Sequence, residues 1–497
     1  MNQFKKLAGQ TAIYGLGSVI PRILNYILLT PFYTRVLNSV ADYGTHSYLY
    51  SFSAFIIILL TFGMETTFFR YAKNRGIENV FTTSFYFLFT NAFIFSLLVL
   101  IFQVDIANLI GINNVKYLWY FVGIIFFDVV TAIPFSALRY NEKAKTFALL
   151  KIVNIIINII INLIYLWLIP LLIKNYGFNF DRFFSQDNLL EYTFRANVIA
   201  SFCTFLLLIP HTKSYFKKFQ FPLFKEMIFY SFPIMISGIL GMINEVADKI
   251  LLKYLLPKDV VAFEQIGIYA ANYKLAALIT IFNSMFRYAL EPFFFKVYGN
   301  KDSKDIYALI SKYYLIFGTF VLLVIVLYID IFKFFIGSKY HEGLHIVPII
   351  LFSNLIFGLY YTMGVWYKVI DKTYFSAYFS LVGAVLTILG NYLLIPIFGY
   401  TGSALATLIC YSVMLFLTIY YERIHYRINY DFKFMVNLIL FSLLIVILSY
   451  FVKIESIYIK FLFSSVLILG YVIFVILSNR EIKDIVSNYV RSKNSSS

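Results

Sequence analysis

Apolar residues run through this chain in long blocks, and the polar residues that interrupt them recur at nearly regular intervals. Roughly 20 apolar residues suffice to cross about 30 Å of hydrocarbon as a helix. Fourteen stretches meet that length: 11–33, 43–66, 81–104, 118–138, 148–172, 193–211, 228–255, 267–292, 312–334, 345–367, 373–396, 400–421, 433–451 and 457–478. In lipid a segment must satisfy its own backbone N–H and C=O groups, so blocks of this length predict helices. The expected fold class is all-α, a polytopic membrane protein of about 14 transmembrane helices.

The polar intervals alternate in charge. With the N-terminus in the cytoplasm, the inward segments hold Lys5 and Lys6; Arg70, Lys73 and Arg75; Arg139, Lys143, Lys145 and Lys151; Lys213, Lys217, Lys218 and Lys225; and Lys296, Lys301, Lys304 and Lys312. Lys368 and Lys372 follow, then Arg423, Arg427 and Lys433, and finally Arg480, Lys483, Arg491 and Lys493. Outward loops hold far fewer. The bias of lysine and arginine toward the cytoplasmic side then places both termini inside. An odd error in the number of spans would invert the sorting, and no inversion occurs. The one long outward loop, Lys174 to Tyr192, carries mixed charge and no catalytic pattern, and reads as an aromatic cap.

Composition agrees with this pattern and narrows the partners. Of 497 residues, 61% are hydrophobic and 13% charged, too apolar for a soluble exterior. The formal charge of +16 is spread over short loops and not gathered on one face, so nucleic acid is not expected. Cys203 and Cys410 both lie in apolar runs and imply neither a disulfide framework nor a metal site. The N-terminal run lacks a small-residue cleavage site after a short apolar stretch, so it reads as the first span and not as a removed signal.

Two stretches repeat. Setting Tyr43 beside Tyr269 sets Glu65 beside Glu291, Phe68 and Phe69 beside Phe294 and Phe295, Arg70 beside Lys296, and Asn74 beside Asn300, without a gap. The offset spans six helices, so both copies enter the membrane in the same sense. Two parallel lobes are expected, 1–215 and 216–425, with a substrate path at their interface. Two further helices (426–480) serve either as a lipid-facing groove or as a packing element, and a polar cytoplasmic tail (481–497) follows.

Ionisable groups within spans are costly in hydrocarbon and ordinarily face a bundle interior or a wetted cavity. Arg22 stands midway along the first span, between Pro21 and Pro31, which predict a bent, cavity-lining helix. Lys274, in the outer half of the eighth span, is its counterpart, and the two can hold a phosphate or pyrophosphate. In the seventh span Glu245 and Lys249 stand one turn apart with Asp248 beside them. They neutralise one another, or the surplus acid makes Glu245 or Asp248 a proton or cation site. Arg287 and Glu291 are expected to pair near the cytoplasmic side, and Glu65 with Arg70 repeats them as a gate or lobe-anchoring pair. Asp128 is the lone acid of the fourth span, and either titrates during transport or hydrogen-bonds a neighbouring helix. Asn154, Asn158 and Asn162 share one face of the fifth, either joining helices or forming a polar wall for sugar hydroxyls. His341 and His345 read as a solvated pair. No Walker loop, dinucleotide fingerprint, HExxH or nucleophile elbow is found, so neither an enzyme nor a cofactor is expected.

The run Gly15 to Arg35, DYG at Asp42 to Gly44, FGMETTFFRYAKNRG from Phe62, FRYALEPFFFK from Phe286 and NYLLIPIFGYTGSALAT from Asn391 resemble bacterial polysaccharide-unit flippases of the multidrug, oligosaccharidyl-lipid and polysaccharide exporter superfamily. The likeness covers roughly residues 5 to 420, and the last two spans are more generic. It implies a V-shaped pair of six-helix bundles that alternates access and carries undecaprenyl-pyrophosphate-linked oligosaccharide from the cytoplasmic to the periplasmic leaflet of the bacterial inner membrane. The cationic cavity residues of such flippases correspond in kind to Arg22 and Lys274. The partners implied are the lipid-linked glycan and membrane lipids, with proton or sodium coupling and a glycan polymerase complex as further expectations. A cation-coupled multidrug or small-solute antiporter and a peptidoglycan-precursor flippase are the alternatives. Drug exporters often carry an acid in the first helix, and this chain has none there.

Overall fold

A computed structural model describes residues 17, 19–112, 114–180, 184–452 and 456–479, without the side chains of 288–292, 295 and 296. Helices dominate. We number the long ones α1 (residues 19–36), α2 (Val40–Arg75), α3 (Ile77–Ile101), α4 (Lys116–Tyr140), α5 (Ala144–Tyr176), α6 (Leu189–Thr212) and α7 (Phe221–Leu255). There follow α8 (Ala262–Val297), α9 (Ser303–Leu327), α10 (Val347–Met363), the helix Tyr374–His425, which Gly399 divides into α11 and α12, then α13 (Phe432–Phe451) and α14 (Ile457–Ser478). Each of the fourteen apolar stretches thus meets a helix.

Among the described residues, eleven helices are long and apolar enough to cross a membrane. One of them, Tyr374–His425, has 52 residues and would be far too long for a single crossing at about 1.5 Å per residue. Gly399 (φ 58°, ψ −139°) breaks it where no residue with a Cβ fits easily. Ser403 Oγ donates to Asn391 Oδ1 across that break at 2.7 Å. Charged positions lower the hydropathy of α8, and the described part of α1 is short; neither is among the eleven.

The prolines of α1 do not simply kink it. Between Pro21 and Pro31 the chain makes a π-helical turn, Asn25–Leu29. Widening one turn is a common way to absorb a lost i→i−4 bond, and such turns are frequent at functional sites. A capping box starts α2: Asp42 N–H donates to Ser39 Oγ at 3.1 Å and Ser39 N–H to the Asp42 carboxylate at 3.0 Å.

The chain forms two compact units. The first comprises residues up to Ala271 with Ser380–Ser403; the second comprises Asn272–Phe379 with the residues from Ala404 onward. The first therefore includes α1–α7. Its core packs Met64, Phe68, Phe81, Leu88, Ile125, Val129 and Ile133 from α2, α3 and α4. Gly44 of α2 meets the start of α8 so closely that a Cβ would lie 1.8 Å from the carbonyl oxygen of Phe263. In lipid, where no hydrophobic force draws helices together, such small-residue contacts let backbones approach and gain dispersion energy.

In the second unit α13 and α14 pack on α9. Thr319 and Tyr471 share a hydroxyl–hydroxyl bond of 2.7 Å, and Ser464 donates to the Leu327 carbonyl at 3.0 Å. Beyond the end of α9, Asp330 binds Lys333 at 2.7 Å and also Lys460 of α14. The final helix pair is thus fastened by polar contacts as well as by apolar packing.

Candidate functional site

Four helices of the first unit turn polar positions toward one another at helical spacing. From α2 come Ile57, Thr61 and Glu65, and from α4 Asp128, Thr131, Phe135 and Arg139; α5 adds Phe147, Lys151 and Asn154, and α6 adds Asn197, Ser201 and Thr204. Steps of three and four residues keep each set on one face, except in α2, where left-handed Phe62 and Gly63 break the helix between Thr61 and Glu65. Together they enclose a cavity of about 410 Å³.

Within it the charges are distributed and engaged. Asp128, though deep in the bundle, is solvent-accessible because it faces this space, and it accepts a hydrogen bond from Ser201 Oγ at 3.0 Å. Glu65 pairs with Arg139 at 3.4 Å, and Arg139 also lies over the Phe69 ring at 4.9 Å. Lys151 Nζ stands 3.9 Å above the Phe135 ring. It lies within electrostatic reach of Asp128, Glu65, Arg139 and Arg22. Two carboxylates and two cations on one lining are close to neutral, and Arg22 nearby tilts the field positive. A lone charge at bilayer mid-depth costs at least about 2.5 kcal/mol, so charges clustered around a space roomy enough for water are the stable arrangement.

Asn154 donates to Thr204 Oγ1 at 2.9 Å and lines the cavity. Asn158 and Asn162 are buried, with Asn162 donating to the Asn158 side chain at 2.6 Å. The three asparagines therefore divide: one faces the cavity and two pack within the bundle. Arg22 is exposed on α1, and Gly17 approaches Ala148 of α5 so closely that a Cβ would lie 2.7 Å from the alanine methyl.

The expected Glu65–Arg70 pair is not what the structure brings together. Arg70 reaches α7 and sits 4.3 Å from the Tyr230 ring centroid, while Glu65 turns to Arg139. In α7 the acid bound by Lys249 is Asp248, at 3.2 Å, and Tyr269 donates to the same carboxylate at 2.8 Å. Asp248 is buried, whereas Glu245 is exposed. His341 and His345 approach separate backbone carbonyls, Lys333 and Glu342, each at 3.0 Å. No metal-holding cluster occurs among the described residues.

The second unit has a recess of a different kind, lined by Asn283, Arg287, Tyr314, Tyr361, Thr362 and Lys368. Arg287 lies 5.2 Å from the Tyr361 ring centroid, and Tyr314 donates to Asn283 at 2.7 Å. The Glu291 side chain, and with it the expected Arg287–Glu291 pair, lies outside the described residues. Lys274 is half-buried and engaged with other groups.

Sequence reading missed Arg139, Lys151, Asn197, Ser201 and Thr204. A signal existed for Lys151: it stands three residues before Asn154, on the polar face shared by Asn158 and Asn162. Its place just after Lys143 and Lys145 gives it the look of one more basic loop residue.

The sequence matches the family described as polysaccharide biosynthesis protein over residues 7–298. No curated protein matches it. Among solved structures, the lipid II flippase MurJ in an inward closed conformation is similar at 16% identity with a TM-score of 0.68, covering 94% of this chain and 100% of that one. An inward-facing multidrug resistance MATE family transporter is similar at 13% identity and TM-score 0.63, covering 83% and 94%. A Vibrio cholerae MATE transporter gives 13% and 0.59, also covering 83% and 94%. At such identities these likenesses speak for the fold alone. With the family match covering more than half its length, this multi-pass, all-α chain belongs to the polysaccharide biosynthesis protein family.

Proposed function

We propose that this transporter flips polyprenyl-diphosphate-linked oligosaccharide units between the leaflets of a bacterial inner membrane, with both termini cytoplasmic. The observation that carries the reading is the polar cavity inside the first unit. It offers cations for a diphosphate, from Arg139, Lys151 and nearby Arg22, and amide and hydroxyl groups for sugars, from Asn154, Asn197, Ser201 and Thr204. Moving a charged sugar headgroup through hydrocarbon is opposed chiefly by desolvation, and a wetted, hydrogen-bonding cavity removes most of that cost. The polyprenyl tail stays in lipid, so no covalent step is required.

Arg22 of the first unit and Lys274 of the second are proposed as headgroup-binding residues of alternating lobes 1–215 and 216–425. Asp128 is the acid best placed in this reading for proton or sodium coupling, since it alone shares the cavity with Lys151 away from the Glu65–Arg139 pair. Association with a glycan polymerase fits the same reading. A peptidoglycan precursor presents the same diphosphate chemistry and is the second reading, supported by the MurJ-like fold.

The test is leaflet translocation of labelled lipid-linked glycan in proteoliposomes, run in parallel with labelled peptidoglycan precursor. Lys151→Met and Arg22→Ala should each lower translocation about tenfold, the effect of roughly 1.4 kcal/mol, while Lys151→Arg and Arg22→Lys keep most of it. Normal translocation by correctly inserted Lys151→Met and Arg22→Ala would defeat the headgroup reading. Movement of the peptidoglycan precursor alone would reassign the substrate.

A further inference from the structure

The turn between α12 and α13 builds a site that the transport reading does not use. Arg423, Arg427, Ile428, Asn429, Tyr430 and Phe432 line a hollow of about 440 Å³ at this membrane edge. Both arginines are exposed, and neither is ion-paired among the described residues. The Arg423 guanidinium lies over the Phe432 ring, 5.0 Å from its centroid, a contact that anchors it at the turn. Lys304 adds a third positive charge, 4.7 Å from the Tyr426 ring centroid.

The carboxylates of this segment are turned to other work. Glu422 is buried within electrostatic reach of Arg423, Lys304 and Arg427 without bridging to any of them, and its Oε1 accepts the Ile428 N–H, an interaction that also shapes the turn. Asp431 caps α13, accepting the Phe434 N–H at 3.1 Å. Neutralising the carbonyl end of α12 accounts for Arg423, which lies in its last turn. It does not account for Arg427, which stands beyond the helix in the turn.

Two apolar strips lead away from the hollow. Phe416, Tyr420 and Ile424 follow one face of α12, and Val436, Leu440 and Leu444 one face of α13, with Phe416 65% exposed and Leu440 57%. A soluble anion has no use for them. From this juxtaposition we infer that the α12–α13 turn is a binding site for an anionic phospholipid, with its headgroup phosphate on Arg423 and Arg427 and its acyl chains along the two strips. Arginine forks match phosphate oxygens in pairs, and a basic residue at a membrane surface draws anionic lipid.

The test uses full-length protein in an equimolar mixture of phosphatidylglycerol and phosphatidylcholine, with retained lipid counted by native mass spectrometry after detergent extraction. The wild type should keep phosphatidylglycerol in preference. Arg427→Gln should lower its occupancy about fivefold, and Arg423→Gln with Arg427→Gln about 25-fold, whereas the double lysine variant should lose much less. The lysine form also shows that the turn still folds, and if the double glutamine variant is not monodisperse, Arg427→Gln alone decides. Wild-type retention by the glutamine variants would overturn the site, as would an equal loss from Lys73→Gln with Lys213→Gln, elsewhere among the basic segments. Displacement of the lipid by inorganic phosphate at equal concentration would make it a free-anion site instead.

Discussion

The 226-residue offset of the repeat also sets Asp128 of the first unit against Asn354 of the second. Asp128 faces an open, polar cavity and accepts from Ser201. Asn354 is buried, and its backbone carbonyl accepts from Asn283 at 2.8 Å. One copy keeps an ionisable group where water, a hydroxyl and a cation can meet it, and the other carries a neutral amide where the helices close. The backbone of the two stretches is more alike than their chemistry. After α4 and again after α10, an acidic residue adopts a left-handed conformation, Glu142 at φ 55° and Asp371 at φ 58°. Each is followed by a lysine whose N–H returns to a carbonyl, Lys143 to Leu138 at 2.9 Å and Lys372 to Tyr367 at 2.8 Å. The turn is alike in both stretches, whereas at this one position a carboxylate occurs only where a cavity can solvate it.

The largest expected effect breaks that contrast directly. Asn354→Asp should destabilise the protein by about 3 kcal/mol at neutral pH, because a packed site must either hold an uncompensated carboxylate or protonate it. Asp128→Asn should cost under about 1 kcal/mol, since the amide keeps the Ser201 contact. Both are read from unfolding of the purified protein, and equal losses would mean that the two sites are equally wet.

Next in size come the glycines. Gly44→Ala drives a Cβ into a backbone oxygen that cannot swing aside, and should cost about 2–3 kcal/mol in the same assay. Gly358→Ala in the second unit meets the Tyr314 hydroxyl, also 1.8 Å away, so Tyr314→Phe should recover part of its loss. No such recovery would place the obstruction at Asn283 Oδ1 and the tyrosine ring, each 2.6 Å from the same Cβ position.

A smaller effect tests whether the first cavity's wall is structural. The Asn154–Thr204 bond should show a coupling of about 0.6 kcal/mol in a double-mutant cycle of the two alanine variants. A value near zero, with transport impaired, would make the pair a substrate contact alone.

The smallest concerns Asp330, in the connection beyond α9. Burial pushes its carboxyl up, but hydrogen bonds and charges from Lys333 and Lys460 together hold it below the ordinary 3.8. A lowered folded-state value stabilises fully above 3.8 and is lost as pH falls through the lower value. Wild type should exceed Asp330→Asn by under about 1 kcal/mol near neutrality, with the gap closing in acid, measured as thermal midpoints across pH. A gap unchanged down to the acid limit would assign the loss to packing.

Much of this architecture is legible from residues alone. The length of each apolar block fixed a helix at all fourteen positions, because hydrocarbon offers the backbone no other partner. The break at Gly399 was legible too, in the polar-poor join between the stretches ending at 396 and starting at 400. Part of the cavity could be read: Asp128 and Asn154 stood out as polar groups where lipid forbids them.

What the sequence by itself determined, then, is which segments leave water and which side chains are too polar to face lipid. Only the tertiary structure decided who meets whom. Glu65 could pair with Arg70 along its own helix, yet Arg139 of α4 arrives closer, and Arg70 finds a tyrosine on α7. Lys151 looked like one more loop lysine until α4 and α6 closed around it. Periodicity assigns a residue to a face, but the partner of that face depends on crossings set by contacts such as Gly44 against Phe263, between residues far apart in the chain.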